Sequence, residues 1–153
     1  MLIKRVTFLP RSKAAAMKAS GRDALISIYD ASEKPIEVGP GWLGVLHVRC
    51  HDTDGGILGL ETYSVQQAQQ VLDFVRQNGD SCEHLVVHCH AGQSRSAGMA
   101  LMLSELLDVP CYKESLKVTT SGYTTYNRLL YSTTLKAALN EPGDVFMSWC
   151  GMV

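Results

Sequence analysis

Short apolar runs separated by polar and glycine-containing segments recur along the chain. Three of them have the length and composition of strands: Leu2–Phe8, Ala24–Tyr29 and Trp42–Val48. The run Leu85–Val87 is short and fully apolar, which is typical of a central parallel strand buried on both faces. Such runs alternate with helix-like stretches. The pattern therefore predicts an α/β fold with a central, mostly parallel sheet of about four to five strands flanked by helices.

The clearest helical pattern begins at Ser64. Ser64 and Gln67 have the spacing of a capping box, and Asn78-Gly79 predicts the end of the helix. Five apolar residues fall on one face at helical spacing, namely Val65, Ala68, Val71, Leu72 and Val75. Further helices are predicted over Arg11–Ala19, Ala97–Leu107, Lys113–Val118 and Thr124–Leu139. The segment 141–153 has no pattern that predicts an element.

Length and composition indicate one globular domain spanning residues 1–153. The chain has 46% hydrophobic and 19% charged residues and a net charge of -1, without the basic excess that nucleic-acid binding would favour. No apolar run approaches the ~20 residues needed to cross a bilayer. Charged residues also interrupt the opening segment too early for a secretory signal. We therefore expect a cytoplasmic protein without a nucleic-acid or membrane partner, and the sequence carries no indication of its oligomeric state.

The chain contains five cysteines: Cys50, Cys82, Cys89, Cys111 and Cys150. Their number is odd, their spacing is irregular and no CxxC pair occurs. The sequence therefore predicts neither a disulfide framework nor a structural zinc site. In a reducing compartment these residues would be free thiols, mostly buried. Only Cys89 has neighbours that indicate chemistry.

The segment His88–Ser96 joins the apolar run Leu85–Val87 to a predicted helix. Such a junction gathers unpaired backbone N–H groups at the positive end of the helix dipole, which together make an anion site. A cysteine at the start of this loop should have a depressed pKa and exist partly as thiolate. Gly92 allows the backbone to curl around an anion. The planar guanidinium of Arg95 suits two phosphoryl oxygens.

The same segment matches the signature HCxxGxxR[S/T] of the protein tyrosine phosphatase superfamily. The matching residues are His88, Cys89, Gly92, Arg95 and Ser96. The pattern from Ala24 to Leu107 resembles the compact dual-specificity-like and bacterial members of this superfamily. The resemblance implies a dual-specificity-phosphatase-like fold and a phosphoric monoester hydrolase that needs no metal or cofactor.

The resemblance also implies a role for each signature residue. Cys89 attacks phosphorus and forms a cysteinyl-phosphate, while Arg95 and the loop N–H groups hold the equatorial oxygens. The loop residues are His90, Ala91, Gly92, Gln93, Ser94 and Arg95. Ser96 donates a hydroxyl contact to the Cys89 sulfur, and His88 fixes the loop geometry and the thiolate pKa.

A phosphatase of this kind also needs a general acid to protonate the leaving oxygen. Asp52 follows a predicted strand and precedes Cys89 by 37 residues, a separation similar to that in the compact members. Asp54 remains an alternative acid. Gly55-Gly56 would suit a loop that closes over substrate. An aspartate beside such glycines is also typical of an ordinary turn.

Other interpretations of these residues remain open. His88, Cys89 and His90 would make a poor metal chelate because consecutive strand residues point to opposite faces. Cys50 fits core packing, and the resemblance implies the alternative of a protective disulfide with Cys89. The aromatic candidates for a substrate cleft are Trp42, Tyr123, Tyr126 and Trp149.

The leading hypothesis is a phosphatase acting on protein phosphotyrosine, with phosphoserine and phosphothreonine also considered. Its partner would be a phosphorylated protein or a small phosphomonoester. The runner-up is a catalytically silent phospho-ligand binding module, which intact Cys89, Arg95 and Ser96 argue against. A rhodanese is disfavoured because its cysteine-to-arginine spacing is generally shorter. The loop contains no lysine, which disfavours a lipid substrate, and no basic patch supports an RNA substrate.

Overall fold

The structure is a computed structural model of the chain, and it describes residues 1–143, 145 and 149. These residues form an α/β fold, as the sequence predicts. The elements in chain order are β1 Arg5–Pro10, α1 Arg11–Ala16, β2 Asp23–Tyr29, β3 Trp42–Arg49, α2 Val65–Asn78, β4 His84–Cys89, α3 Arg95–Leu107, β5 Cys111–Lys113, β6 Leu116–Val118 and α4 Arg128–Leu139. Cys150 and most of the unassigned segment 141–153 lie outside the described residues.

The sheet brings the carboxyl ends of its central strands to one edge. The strand order is β3-β2-β4-β1-β5-β6, and every neighbouring pair is parallel except β5 and β6. β4 is central, with Cys89 opposite Pro10 of β1 and His88 opposite Ser27 of β2. Ligands of open parallel sheets bind at the carboxyl ends of the strands. The loop after Cys89 therefore lies where a site is expected.

The helix predicted over Lys113–Val118 is wrong. This segment forms the end of β5, a turn and β6, with Glu114 at a positive φ of 56° in the turn. β5 pairs in parallel with β1 and in antiparallel with β6. The pairing gives strand partners to the backbone N–H and C=O groups of β1 that face β5. A single helical turn at this position would leave those groups of β1 without strand partners. The hairpin also makes the sheet six-stranded, rather than the predicted four to five strands.

The other predicted helices are present with shifted ends. The capping box of α2 forms, because Ser64 Oγ accepts from the Gln67 N–H at 3.2 Å and Gln67 Oε1 accepts from the Ser64 N–H at 3.0 Å. Val65 is 52% exposed and does not join the predicted buried face, since it is the first residue of the helix. α1 ends three residues earlier than predicted, and α4 begins four residues later. No helix among the described residues is long and apolar enough to cross a membrane.

The start of α4 packs tightly against the start of α3. A Cβ on Gly98 would lie 2.3 Å from the carbonyl oxygen of Asn127, so a residue with a side chain does not fit there. Asn127 caps α4 by accepting from the Leu130 N–H at 3.0 Å. The close approach of the two helices places Asn127 beside the loop that precedes α3.

Candidate active site

The loop between β4 and α3 brings the signature residues together. Cys89 ends β4 and is only 2% exposed. Its Sγ lies 3.1 Å from the hydroxyl oxygen of Ser96 in the first turn of α3. Arg95 begins α3 beside them. A thiol and a hydroxyl thus meet where a strand ends and a helix begins, and Arg95 is the first residue of that helix.

Gly92 fixes the shape of this loop. Its φ is +65°, a conformation that residues with a side chain rarely adopt. A Cβ at this position would lie 2.3 Å from the backbone nitrogen of Pro10 and 2.4 Å from the carbonyl carbon of Leu9. Glycine is therefore required twice, once for the turn and once for the contact with the end of β1.

Four carbonyl groups of the loop bond to the surrounding protein, whereas four of its N–H groups have no such partner among the described residues. The carbonyl contacts are Cys89 O to His88 Nδ1 at 3.3 Å, His90 O to the Arg11 N–H at 3.2 Å, Gln93 O to Tyr123 Oη at 2.7 Å and Ser94 O to the Asn127 N–H at 3.0 Å. Within the described chain, the N–H groups of residues 91–94 donate to no protein acceptor. Such a run of free donors at a helix N-terminus makes an anion cradle.

The Arg95 side chain is braced by groups from two other loops. One terminal nitrogen donates to the Cys50 carbonyl at 2.9 Å and to Asp30 Oδ2 at 3.3 Å. The other lies 3.9 Å from Glu33 Oε1. The arginine is only 6% exposed, so these contacts determine where the guanidinium points. Hydrogen bonds from Ser32 and the charge of Arg95 lower the pKa of the Asp30 carboxyl, which keeps it ionised as the partner of Arg95.

His88 is fully buried beneath the loop. Its Nε2 lies 2.7 Å from Ser27 Oγ, and its Nδ1 lies 3.3 Å from the Cys89 carbonyl oxygen. Because a carbonyl only accepts, these partners assign the proton to Nδ1. Burial lowers the pKa of His88 to about 4, so the ring is neutral at neutral pH. The neutral ring donates to the residue that carries the thiol.

The buried neutral His88 predicts a pH-dependent stability. The unfolded chain takes up a proton near pH 6.5, whereas the folded chain does so near pH 4. The contribution of neutral His88 to the free energy of unfolding is therefore fully present above pH 6.5. It decreases by about 3 kcal/mol as the pH falls through the window from 6.5 to about 4. Denaturant unfolding between pH 4 and 7.5 measures the slope. His88→Gln should flatten it, and His47→Gln, at an exposed histidine, should not; equal slopes in all three proteins would contradict the assignment.

Among the described residues, Asp52 is hydrogen-bonded to the loop and Asp54 is not. Asp52 Oδ1 accepts from Ser94 Oγ and from Asn127 Nδ2, each at 2.8 Å. These bonds leave its Oδ2 without a protein donor among the described residues. Asp54 makes no hydrogen bond or ion pair in the same part of the chain. Both aspartates line a groove of about 400 Å³ that also includes Ile57 and Tyr126.

The remaining described cysteines are buried in the protein interior. Cys50 is part of the hydrophobic core, and burial raises the pKa of its thiol to about 12. Burial likewise raises the pKa of Cys111 to about 12. Cys50, Cys82, Cys89 and Cys111 are all free thiols. No group of three or more His, Cys, Asp or Glu side chains among the described residues is arranged to hold a metal ion.

Sequence reasoning missed three residues at this site: Asp30, Glu33 and Asn127. It named Tyr123 as an aromatic cleft candidate, and the structure shows its hydroxyl donating to the Gln93 carbonyl of the loop. Asp30 and Glu33 follow the end of β2, which lies beside β4 in the sheet. Their position after a strand end could therefore have indicated that they lie at the site. Asn127 had the signal of an N-cap residue. Of the aromatic cleft candidates, Tyr126 lines the groove beside Asp52, whereas Trp149 donates to Glu141 and stacks under Arg76.

Among solved structures, the chain is similar to one described as the crystal structure of Tk-PTP in the active form. The two share 17% sequence identity with a TM-score of 0.46, over 99% of this chain and 92% of that one. No protein-family model matches the sequence, and no curated protein matches it. The function of the site is therefore inferred from its own geometry.

Proposed function

We propose that the protein is a cysteine-dependent phosphatase that hydrolyses phosphate monoesters, foremost protein phosphotyrosine. The observation that carries this proposal is the loop after β4. It surrounds Cys89 with free N–H groups, places Ser96 at hydrogen-bond distance from the sulfur and sets the buried Arg95 at its edge. A thiol inside an anion cradle suits attack on a phosphoryl group.

The first step forms a bond between Cys89 Sγ and phosphorus and breaks the bond between phosphorus and the leaving oxygen. The Cys89 thiolate supplies the electron pair. The loop N–H groups and Arg95 hold the three equatorial oxygens, over which the charge of the transferring group is spread in the transition state. The hydroxyl of Ser96 donates to the sulfur, which stabilises the thiolate before attack and again when it leaves. Water then hydrolyses the cysteinyl-phosphate.

Asp52 is the proposed general acid. Its Oδ1 is occupied by Ser94 and Asn127, so its Oδ2 is the oxygen available to carry the proton. It protonates the leaving oxygen in the first step and accepts a proton from the attacking water in the second. The bond from Ser94 connects the acid directly to the loop that holds the phosphoryl group. Asp54 has no such connection.

The groove beside Asp52 supports an aromatic leaving group. Its lining is mostly polar, and Ile57 and the ring of Tyr126 are the side chains against which a phenol could pack. A phenol bound there would have its oxygen at the carboxyl group and its ring against these side chains. We therefore propose phosphotyrosine in a protein as the substrate, with small aryl phosphates as simple analogues.

Hydrolysis of an aryl phosphate in the presence of a metal chelator tests the proposal. We expect turnover by the native protein and a fall in kcat of about 10²- to 10³-fold in Asp52→Asn, as for loss of a general acid. The loss should shrink for substrates whose leaving group needs no proton. Asp54→Asn is the matched comparison and should cost less than about tenfold.

Three outcomes would contradict parts of this assignment. A larger loss in Asp54→Asn would move the acid to Asp54. A native protein that binds phosphate without turnover would be a phospho-ligand binding module. Turnover that the chelator removes would exclude the metal-free mechanism.

A further inference from the structure

The free N–H groups of the loop bind a phosphoryl group only if they point toward it. One side chain, distant in the sequence, helps to fix the direction of one of these N–H groups. We propose that Tyr123 is a positioning residue whose hydroxyl aims the Ser94 N–H at the bound phosphoryl oxygens. Tyr123 Oη donates to the Gln93 carbonyl at 2.7 Å from 30 residues along the chain. The inference rests on the proposed function, because it concerns the loop that would hold the substrate.

The geometry of the peptide bond links the two groups. Every peptide bond of the described chain is trans, and in a trans peptide the C=O and the following N–H point in opposite directions. Gln93 O and Ser94 N–H belong to one such unit. Holding the carbonyl outward on Tyr123 therefore turns the Ser94 N–H inward. That N–H has no protein acceptor in the described part of the chain.

The other bonded carbonyls of the loop are held differently. His90 O and Ser94 O accept from the backbone N–H groups of Arg11 and Asn127, which no ordinary substitution removes. Cys89 O is contacted by the adjacent residue, His88. The Gln93 carbonyl is thus the one whose direction depends on a side chain from a remote segment, among the residues that the structure describes.

The ring of Tyr123 is itself fixed against the sheet. It packs edge-on against Phe8 of β1, with ring centres 5.3 Å apart and planes at 67°. Lys113 Nζ lies 5.4 Å from the ring centre. Phe8 is fully buried, so this contact is held by the core. The ring therefore keeps its place when only its hydroxyl is removed, and Tyr123→Phe isolates the hydrogen bond.

Tyr123→Phe is expected to weaken the binding of inorganic phosphate about fivefold, the effect of one lost hydrogen bond. Isothermal titration calorimetry measures this in the full chain. The kcat/KM for an aryl phosphate should fall by a similar factor, because the Ser94 N–H contacts the oxygens in both ground and transition states. The proton shift of the Ser94 amide on adding phosphate should also decrease. The melting temperature should change little.

Tyr112→Phe is the matched control. Tyr112 lies in β5, and its hydroxyl makes no hydrogen bond within the described residues, so phosphate affinity should be unchanged. Native affinity in Tyr123→Phe, or an equal loss in both variants, would overturn the inference. If the native protein binds phosphate without hydrolysing the ester, the proposed function is wrong but the inference about Tyr123 is not affected. The calorimetry would still decide the role of Tyr123. A native protein that binds no phosphate would overturn both.

Discussion

Replacing Cys89 with serine is expected to abolish turnover of an aryl phosphate while phosphate binding remains. Serine is nearly the same size, so the loop and its N–H groups keep their positions. Its hydroxyl does not ionise near neutral pH, and Ser96, the described side chain at hydrogen-bond distance (3.1 Å), is not a base that could activate it. We expect kcat to fall by roughly 10⁴-fold or more, as when a nucleophile is removed.

Two measurements together check this prediction: kcat on an aryl phosphate, and the Kd of inorganic phosphate by calorimetry. Cys82→Ser is the control, because Cys82 is a fully buried thiol whose Sγ donates to the His84 carbonyl at the opposite end of β4. It should retain native turnover. Residual turnover in Cys89→Ser within a hundredfold of native would show that the sulfur is not the attacking atom.

The loop could be predicted because its geometry is local. Residues 88–96 form the cradle within nine positions, so the spacing of Cys89, Gly92 and Arg95 carries most of the necessary information. The central strand and the following helix were equally readable, since each contains an uninterrupted run without polar side chains, at residues 85–87 and 97–103. Asp52 could be proposed as the acid because it lies within three residues of the end of β3.

The supporting groups could not be predicted with the same method. Asp30 reaches Arg95 across 65 residues and Asn127 reaches Asp52 across 75, and each contact depends on the order of strands in the sheet. Periodicity indicates that a strand exists and not which neighbour it has. The β5–β6 hairpin shows the same limit, because pairing with β1 decided the structure of a six-residue segment that favoured a helix by composition.

Arg95→Lys is expected to reduce kcat/KM by roughly 10³-fold, although the charge is conserved. The guanidinium has two tasks in different directions. It donates to the Cys50 carbonyl and to Asp30, and its remaining N–H groups are the ones available to a phosphoryl group. A lysine ammonium is a single point with three donors on one atom. It therefore cannot hold the carboxylate and chelate two phosphoryl oxygens in one plane.

The comparison of Arg95→Lys with Arg76→Lys separates geometry from charge. Arg76 pairs with Glu141 on a different surface, so its replacement should leave kcat/KM near the native value. If Arg95 acts mainly through its planar fork, Arg95→Lys should weaken phosphate binding and also lower kcat, because the equatorial oxygens become coplanar with phosphorus, and so match the fork best, only in the transition state. A loss below tenfold would mean that positive charge alone suffices. The contacts from Asp30 and Glu33 would then stabilise the buried arginine without directing the reaction.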